Sequence, residues 1–454
     1  MQGTSPAVGF QGGAISVIAR NPGRLRTAPL LQGGGLAFFL ATGVANAANF
    51  LFHVVMSRML GPATYGALGS ILGLATGVTL AVTAFQAAVT QAVAEHVAAD
   101  GGASLRVGRS LRRTGAVGLG LLVVLAAASP VLRGFLHLSS TVPVLLFGCF
   151  VAGTVATLVP QGVLIGQLRF RTVALALALG SLLRLAAGPL FVKAGWGLDG
   201  AVGASVVQAV TTLAVLVWPL RAELVVGRGA EFRFRARSAA LAVCALGGVS
   251  AFVGIDSFLA RHYLGRSASG YYVAAATAAR IALFLPAAIG MLAFPRLAAH
   301  GGRGPQARAV LRHALWAVTA IGVLAAAVIA AVPHAVIDVL FGSRYASAAS
   351  ALRILAVAAA AVGVVTVCIY ALLAARSTLS LLAWPALGVV ALVVAVAHDS
   401  VTGVAWIVLL VSAALLVVAL LAVTTRAAGP AGRSSLPGVL PRKGDGASIL
   451  GMTQ

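Results

Sequence analysis

Residues 198–262 read LDGAVGASVVQAVTTLAVLVWPL, then RAELVVGRGAEFRFRAR, then SAALAVCALGGVSAFVGIDSFLARH. The first and third pieces, 198–220 and 238–262, are apolar runs of more than twenty residues. At 1.5 Å per helical residue each is long enough to cross a ~30 Å hydrocarbon core. The middle piece, 221–237, carries Arg221, Arg228, Arg233, Arg235 and Arg237. Two apolar spans joined by a short basic segment form a membrane hairpin whose connection stays on the cytoplasmic side.

Ten more such runs lie on either side of it. Before it are 34–57, 66–94, 114–136, 142–166 and 172–193; after it are 270–296, 313–334, 350–374, 378–397 and 402–425. With the N-terminus inside, 23 of the 32 basic residues fall in cytoplasmic segments and seven fall outside. The seven are Arg58, Arg133, Lys193, Arg261, Arg266, Arg344 and Arg353. This three-to-one bias supports both the twelve spans and their orientation, since one missed helix would invert every later loop. The last two basic residues, Arg184 and Arg280, lie within spans.

A chain that is 60% hydrophobic and 9% charged is no ordinary soluble domain. The net charge of +23 does not imply nucleic acid, because the arginines punctuate span ends and form no continuous stripe. Anionic lipids at the cytoplasmic face are the expected partners of those arginines. Cys149, Cys244 and Cys368 sit inside spans and read as small buried apolar residues, with neither disulfide nor metal spacing. Arg20, Arg24 and Arg26, followed by an apolar run and Ala45-Asn46-Ala47, imitate a signal peptide and its cleavage site. The run continues to Met56, too long for a typical h-region, so it is expected to remain as the first helix.

The expected fold is therefore all-α and polytopic, with about twelve transmembrane helices in two six-helix halves divided at the 221–237 segment. Residues 1–32 read as a loose cytoplasmic tail, 33–220 as the N-terminal lobe and 221–237 as a basic cytoplasmic linker. Residues 238–425 read as the C-terminal lobe and 426–454 as a second cytoplasmic tail. A weak repeat relates the lobes. Leu60-Gly61-Pro62-Ala63-Thr64-Tyr65-Gly66 and Leu264-Gly265-Arg266-Ser267-Ala268-Ser269-Gly270 share LGxxxxG, 204 positions apart, each just after the first span of its lobe. Repeats at matching depth are a transporter signature.

Three longer stretches carry a family resemblance. MSRMLGPATYGALGSILGL, from Met56, is similar to the first-to-second helix junction of polysaccharide transporters and O-antigen flippases. These belong to the multidrug/oligosaccharidyl-lipid/polysaccharide exporter superfamily. GIDSFLARHYLGRSASGYYVAAATAARIALFLPAAIGMLAFPRLA at 254–298 resembles that family's helix 7 and 8 region, with an Asp, an LG turn, a Gly-Tyr pair and a Phe-Pro in order. VIDVLFGSRYASAASALRILA at 336–356 resembles the approach to helix 10. The resemblance implies two six-helix lobes around a central cavity and rocker-switch alternating access. The implied cargo is an oligosaccharide on an undecaprenyl diphosphate carrier, moved from the inner to the outer leaflet of the bacterial cytoplasmic membrane. A glycan polymerase and glycosyltransferases are the implied partners, and no cofactor or metal is expected.

Several in-span polar residues are candidates for transport. Thr42, Asn46, Asn49 and His53 share one face of the first helix, and Thr79, Thr83, Gln86 and Thr90 share one face of the second. Either stripe lines a hydrated cavity, where sugar hydroxyls would bond, or serves as interhelical packing. Arg184 and Arg280 each lie near mid-span, one per lobe, and intramembrane charge is a functional hypothesis by default. A guanidinium suits phosphate oxygens, so both are candidates for the cargo's diphosphate; the alternative is pairing with Asp256 or a helix carbonyl. Asp256, the carboxylate well inside a span, is either an ion-coupling ligand or the partner of Arg58, Arg261 or Arg280.

An enzymatic reading finds little support. Neither Lys193 nor Lys443 follows a Gly, as a phosphate-binding loop requires, and there is no HExxH and no nucleophile elbow. The remaining alternatives are a drug exporter of the same superfamily, a membrane glycosyltransferase or polymerase, and a non-transporting scaffold.

Overall fold

A computed structural model describes residues 34–100, 107–221, 236–283, 297 and 304–428. Both terminal tails, apart from 426–428, most of the 221–237 linker and the eighth span beyond 283 lie outside the described residues. The described residues are helical, without strands. The α-helices are α1 (Gly34–Asp100), α2 (Gly108–Phe135), α3 (Val142–Ala156), α4 (Leu158–Gly166), α5 (Phe170–Phe191), α6 (Gly197–Val217), α7 (Ala236–Tyr263), α8 (Arg266–Ala279), α9 (Pro305–Ala331), α10 (Pro333–Leu340), α11 (Ala349–Ala374), α12 (Ala383–Val396) and α13 (Val401–Ala428). Helices are the necessary outcome for these apolar runs, because in lipid every backbone N–H and C=O must be satisfied within the segment.

Among the described residues, nine helical stretches are long and apolar enough to cross a membrane. One of them, Phe170–Leu220, holds both the fifth and sixth spans, and Phe38–Thr76 runs from the first into the second. The protein is thus a multi-pass membrane protein, and the described helices follow the spans read from the sequence, the eighth only as far as Leu283. Two boundaries differ from that reading. The first two spans have no loop between them: α1 is broken at the single residue Gly61 (φ 71°, ψ 171°), with Pro62 opening the second segment. Glycine tolerates this positive φ, and proline suits a first helical position because its missing N–H is not needed there. The fourth span divides at Thr157 into α3 and α4. A third expectation is corrected in part. Cys368 is buried, but Cys149 and Cys244 are exposed.

The 204-residue repeat extends through the chain. Pro62 and Arg266 open equivalent helices after equivalent glycines, Gly61 and Gly265. Gly197 and Val401 open the last helix of each half. The helix ends at 135 and 340 match to within one residue. Because each half has an even number of spans, both copies share one orientation, as in parallel-repeat transporters.

The halves meet where α1 packs along α7 and α8. Gly66, Gly69 and Gly73 lie on one face of α1. A Cβ on Gly66 would come 2.6 Å from Ser269 Oγ, one on Gly69 would overlap the Val273 side chain, and one on Gly254 would overlap the Gly73 carbonyl. Small residues are needed where backbones approach this closely in a bilayer.

Candidate functional site

At one end of the bundle, the last turns of the first and seventh spans clamp the opposite lobe. Arg58 donates from Nε to the Leu340 carbonyl at 3.3 Å and from Nη2 to the Val339 carbonyl. In the other half, Arg261 Nε donates to the Leu136 carbonyl at 2.9 Å and His262 Nδ1 to the Phe135 carbonyl at 2.8 Å. Arg58 and His262 are 204 apart, as are Val339 and Phe135, and Leu340 and Leu136. The clamps are therefore the same device built twice, with one arginine doing on one side what an Arg-His pair does on the other. The accepting carbonyls end α10 and α2, where helices leave acceptors unpaired and favour a cation.

Arg261 reaches further. Its Nη1 donates to the Ala63 carbonyl at 3.0 Å, beside the Gly61 break, and to Ser269 Oγ at 3.2 Å. The His262 ring also stacks on Phe135 with centroids 3.7 Å apart. Tyr345, wholly buried, donates to the Ser57 carbonyl at 2.9 Å, and its ring meets Tyr65 edge-on at 6.0 Å. Tyr65 in turn joins His53 Nδ1 (3.3 Å) to Thr277 Oγ1 (3.5 Å). This end of the seam is closed by charge-assisted bonds and aromatic packing together.

Arg184, on α5, is 6% exposed and sits inside the N-terminal lobe. Its Nη1 donates to Asn49 Oδ1 at 3.1 Å and to Gln208 Oε1 at 3.3 Å. Ser181 Oγ anchors both amides, accepting from Gln208 Nε2 at 3.2 Å and Asn49 Nδ2 at 3.4 Å. The guanidinium carbon lies 3.9 Å above the Phe52 ring, a cation–π contact. Nε and Nη2 have no hydrogen-bond partner among the described residues.

Arg280 is placed differently. It caps α8, is half-buried, and donates from Nη2 to the Val253 carbonyl at 3.1 Å. With Asp256 and Ser412 it lines a cavity of about 40 Å³ inside the C-terminal lobe, between α7, α8, α11 and α13. That is room for a few waters. Asp256 accepts from Tyr272 Oη at 3.0 Å and from the Ser257 N–H and Oγ. Its direct partners are these neutral donors, with Arg280 facing it across the cavity.

Of the two polar stripes, Asn49 joins the Arg184 cluster and His53 the Tyr65 cluster. Asn46 and Thr83 are exposed and Gln86 half-buried; the Thr79 side chain lies outside the described residues. Arg184 and Arg280 hold different hydrogen-bond partners, and both lie within electrostatic reach of His53. Sequence reasoning did not pick out Ser181, Gln208 or the clamps. Gln208 left a signal, a single amide within Val206-Val207 and Ala209-Val210. The clamps left another, since Arg58 and His262 are 204 apart and flank the LGxxxxG repeats.

The model of a family described as polysaccharide biosynthesis protein matches residues 31–300, more than half the chain. The chain belongs to that family. No curated protein matches it. Among solved structures, an inward-facing multidrug resistance MATE family transporter of the MOP superfamily is 15% identical, with a TM-score of 0.67 over 86% of this chain and 98% of that one. The lipid II flippase MurJ, in an inward closed conformation, is 11% identical, with a TM-score of 0.64 over 86% and 87%. An outward-facing MATE family transporter is 18% identical, with a TM-score of 0.58 over 86% and 93%. The family member thus has the fold shared by these transporters and flippases.

Proposed function

We propose that this family member is a flippase. It moves a polyprenyl-diphosphate-linked oligosaccharide from the inner to the outer leaflet of a bacterial cytoplasmic membrane by alternating access, for cell-surface polysaccharide assembly. The observation that carries the reading is the pair of repeat-related lobes joined by a seam clamped at one end, each with an arginine held in its membrane interior. A device that opens alternately needs two rigid bodies and a closure that can be exchanged, and the cargo's diphosphate needs cationic partners in the bilayer.

With the orientation given by the basic residues, both termini are cytoplasmic and the clamped end faces outward. Arg184 and Arg280 serve the diphosphate. Asn46, Asn49, Thr83 and Gln86 offer hydrogen bonds to sugar hydroxyls along the path. Asp256, buried beside the cavity it shares with Arg280, is the candidate for coupling to an ion gradient. Glycosyltransferases and a polymerase would supply and consume the cargo, with anionic lipids meeting the cytoplasmic arginines.

Drug export is the second reading, favoured by the fold shared with multidrug transporters. An amphiphilic cation wants carboxylates and aromatics in its path, whereas the membrane interior here holds two arginines and one carboxylate. The test is the sidedness of lipid-linked oligosaccharide in cells lacking the protein, read with an impermeant probe of the outer leaflet. Inner-leaflet accumulation, reversed by wild type and not by an Arg184→Gln/Arg280→Gln double variant at equal expression, is expected. Full complementation by the double variant would sink the diphosphate roles, and unchanged sidedness in a strain without any other flippase would sink the function.

A further inference from the structure

The two clamps are built from different residues at matching places. Arg58, on the first span, has His262 as its counterpart on the seventh, 204 positions later. The turns that follow α2 and α10 differ as well. Phe341 caps α10, and the next residue, Gly342, takes a positive φ of 91°. Leu136 caps α2, and the next residue, His137, takes a positive φ of 51°. Glycine is the residue this conformation favours at a helix end, and a side chain there is strained. The N-terminal half therefore carries an imidazole where the turn itself asks for none.

That imidazole meets a second one from the other lobe. The ring centres of His137, in the N-terminal lobe, and His262, in the C-terminal lobe, are 5.6 Å apart. His137 is exposed and His262 half-buried. The His262 tautomer is fixed: its Nδ1–H is spent on the Phe135 carbonyl at 2.8 Å, which leaves Nε2 with the lone pair of the neutral ring. A backbone carbonyl on one ring nitrogen is the usual support of a histidine whose other nitrogen binds a metal. Two imidazoles that share one ion, each bonded at about 2.0–2.1 Å, have ring centres roughly 5–6.5 Å apart. The observed spacing falls in that range. Planes 20° apart are compatible with it, since each ring can turn about its metal–nitrogen bond.

We propose that His137 and His262 form a binding site for one late first-row divalent ion, of the zinc or copper type, bridging the lobes at the clamped end. Imidazole nitrogen suits these ions. Among the described residues no group of three His, Cys, Asp or Glu side chains could hold a metal, so water fills the other positions. His398 also has its Nδ1 on a carbonyl, that of Val394 at 3.0 Å, but the Tyr263 ring packs against both it and His262, at 4.7 and 4.6 Å. The Arg133 and Arg261 guanidiniums are held by the Leu138 and Leu136 carbonyls. Their charge opposes the ion and sets its affinity in the micromolar range. An ion bound here ties one lobe to the other and adds to the clamp. The site stands on the two histidines; only its effect on transport rests on the flippase reading. No spacing in the sequence announces the pair, which lies 125 positions apart.

The test uses the full chain purified into phosphatidylcholine nanodiscs, with Zn²⁺ and Cu²⁺ as probes. Titration calorimetry should show one saturable Zn²⁺ site per chain, and a chelator should reverse the rise in unfolding temperature that Zn²⁺ brings. The EPR spectrum of bound Cu²⁺ should carry the splitting of two imidazole nitrogens. His137→Gly installs the residue that the other half uses in this turn. His262→Arg installs the counterpart of Arg58 and can still donate to the Phe135 carbonyl. Each variant should weaken Zn²⁺ binding at least tenfold and leave at most one imidazole nitrogen on Cu²⁺. Metal-free unfolding temperatures close to wild type show that both fold. His398→Ala should bind Zn²⁺ as wild type.

The bridge has its own readout. In an Arg261→Gln chain, whose clamp is weakened, Zn²⁺ should raise the weight of the short distance between spin labels on the two lobes, and adding His137→Gly should abolish that rise. No saturable binding at about 1 mM Zn²⁺, or wild-type affinity in either single variant, would overturn the site. Distances that Zn²⁺ leaves unchanged in the Arg261→Gln chain would overturn the bridge. Absent Zn²⁺ binding with oligosaccharide sidedness intact counts against the site alone. Lobes held by Zn²⁺ with flipping undisturbed count against the flippase reading alone.

Discussion

Replacing Arg261 by Gln should loosen the clamped end by an amount the structure sets. Arg261 is 4% exposed and makes two bonds to the opposite lobe, at 2.9 Å to Leu136 and 3.0 Å to Ala63. Glutamine is shorter and neutral, so it cannot span both carbonyls. A hydrogen bond from a charged donor contributes about 1.5–3 kcal/mol net of solvation, so losing two removes about 3 kcal/mol at the lower bound. All of that bears on the balance between clamped and opened forms, because both bonds must break when the lobes separate there. Three kcal/mol is roughly a hundredfold, enough to bring an equilibrium of about 99:1 to near parity. The assay is a distance distribution between spin labels at Ser139 and Ser400, exposed positions on the two lobes at the clamped end, in a background with Cys149, Cys244 and Cys368 replaced. Wild type should give one short distance. Arg261→Gln should add a longer one of comparable weight, and Arg58→Gln should do the same through the repeat-related clamp. Distributions that superimpose on wild type for both variants would refute the claim that these arginines hold the seam.

Other outcomes follow from the same geometry. Gly69→Ala should destabilise the seam by about 1–3 kcal/mol, because its methyl overlaps Val273, and Val273→Ala in the same chain should recover most of the loss in thermal unfolding. Tyr345→Phe removes the bond to the Ser57 carbonyl while keeping the ring packing, so about 1 kcal/mol should be lost and the clamped distance should stay dominant. Tyr272→Phe strips Asp256 of its donor on Oδ2, and thermal unfolding should show a loss of about 1–3 kcal/mol that Asp256→Asn partly relieves. Restored stability without the Asn change would mean that water in the neighbouring cavity already serves the carboxylate.

The all-helical, multi-pass character of the chain was legible because the bilayer imposes one length and one secondary structure on each apolar run. A run such as 402–425 has few other fates in lipid. The basic residues gave an expected orientation, and LGxxxxG at 60–66 and 264–270 pointed to the duplication that the helix starts at Pro62 and Arg266 carry through. Arg184 and Arg280 were legible as exceptions, since charge in a span stands out against an apolar background. Their environments were not. Nothing in the local sequence distinguishes an arginine walled by Asn49, Ser181 and Gln208 from one facing Asp256, because those partners lie 135, 3, 24 and 24 positions away and meet only when the helices pack.

The clamps show the same division. The sequence by itself determined that Arg58, Arg261 and His262 end their helices near a membrane surface, since hydropathy and charge act locally along the chain. Only the tertiary structure decided that their donors reach the terminal carbonyls of α2 and α10 in the opposite lobe. A helix end always has spare acceptors; which cation fills them depends on how two lobes are set against each other. Here that setting comes from the small residues Gly66, Gly69 and Gly73, which let α1 approach α7 and α8 closely enough for the clamps to meet.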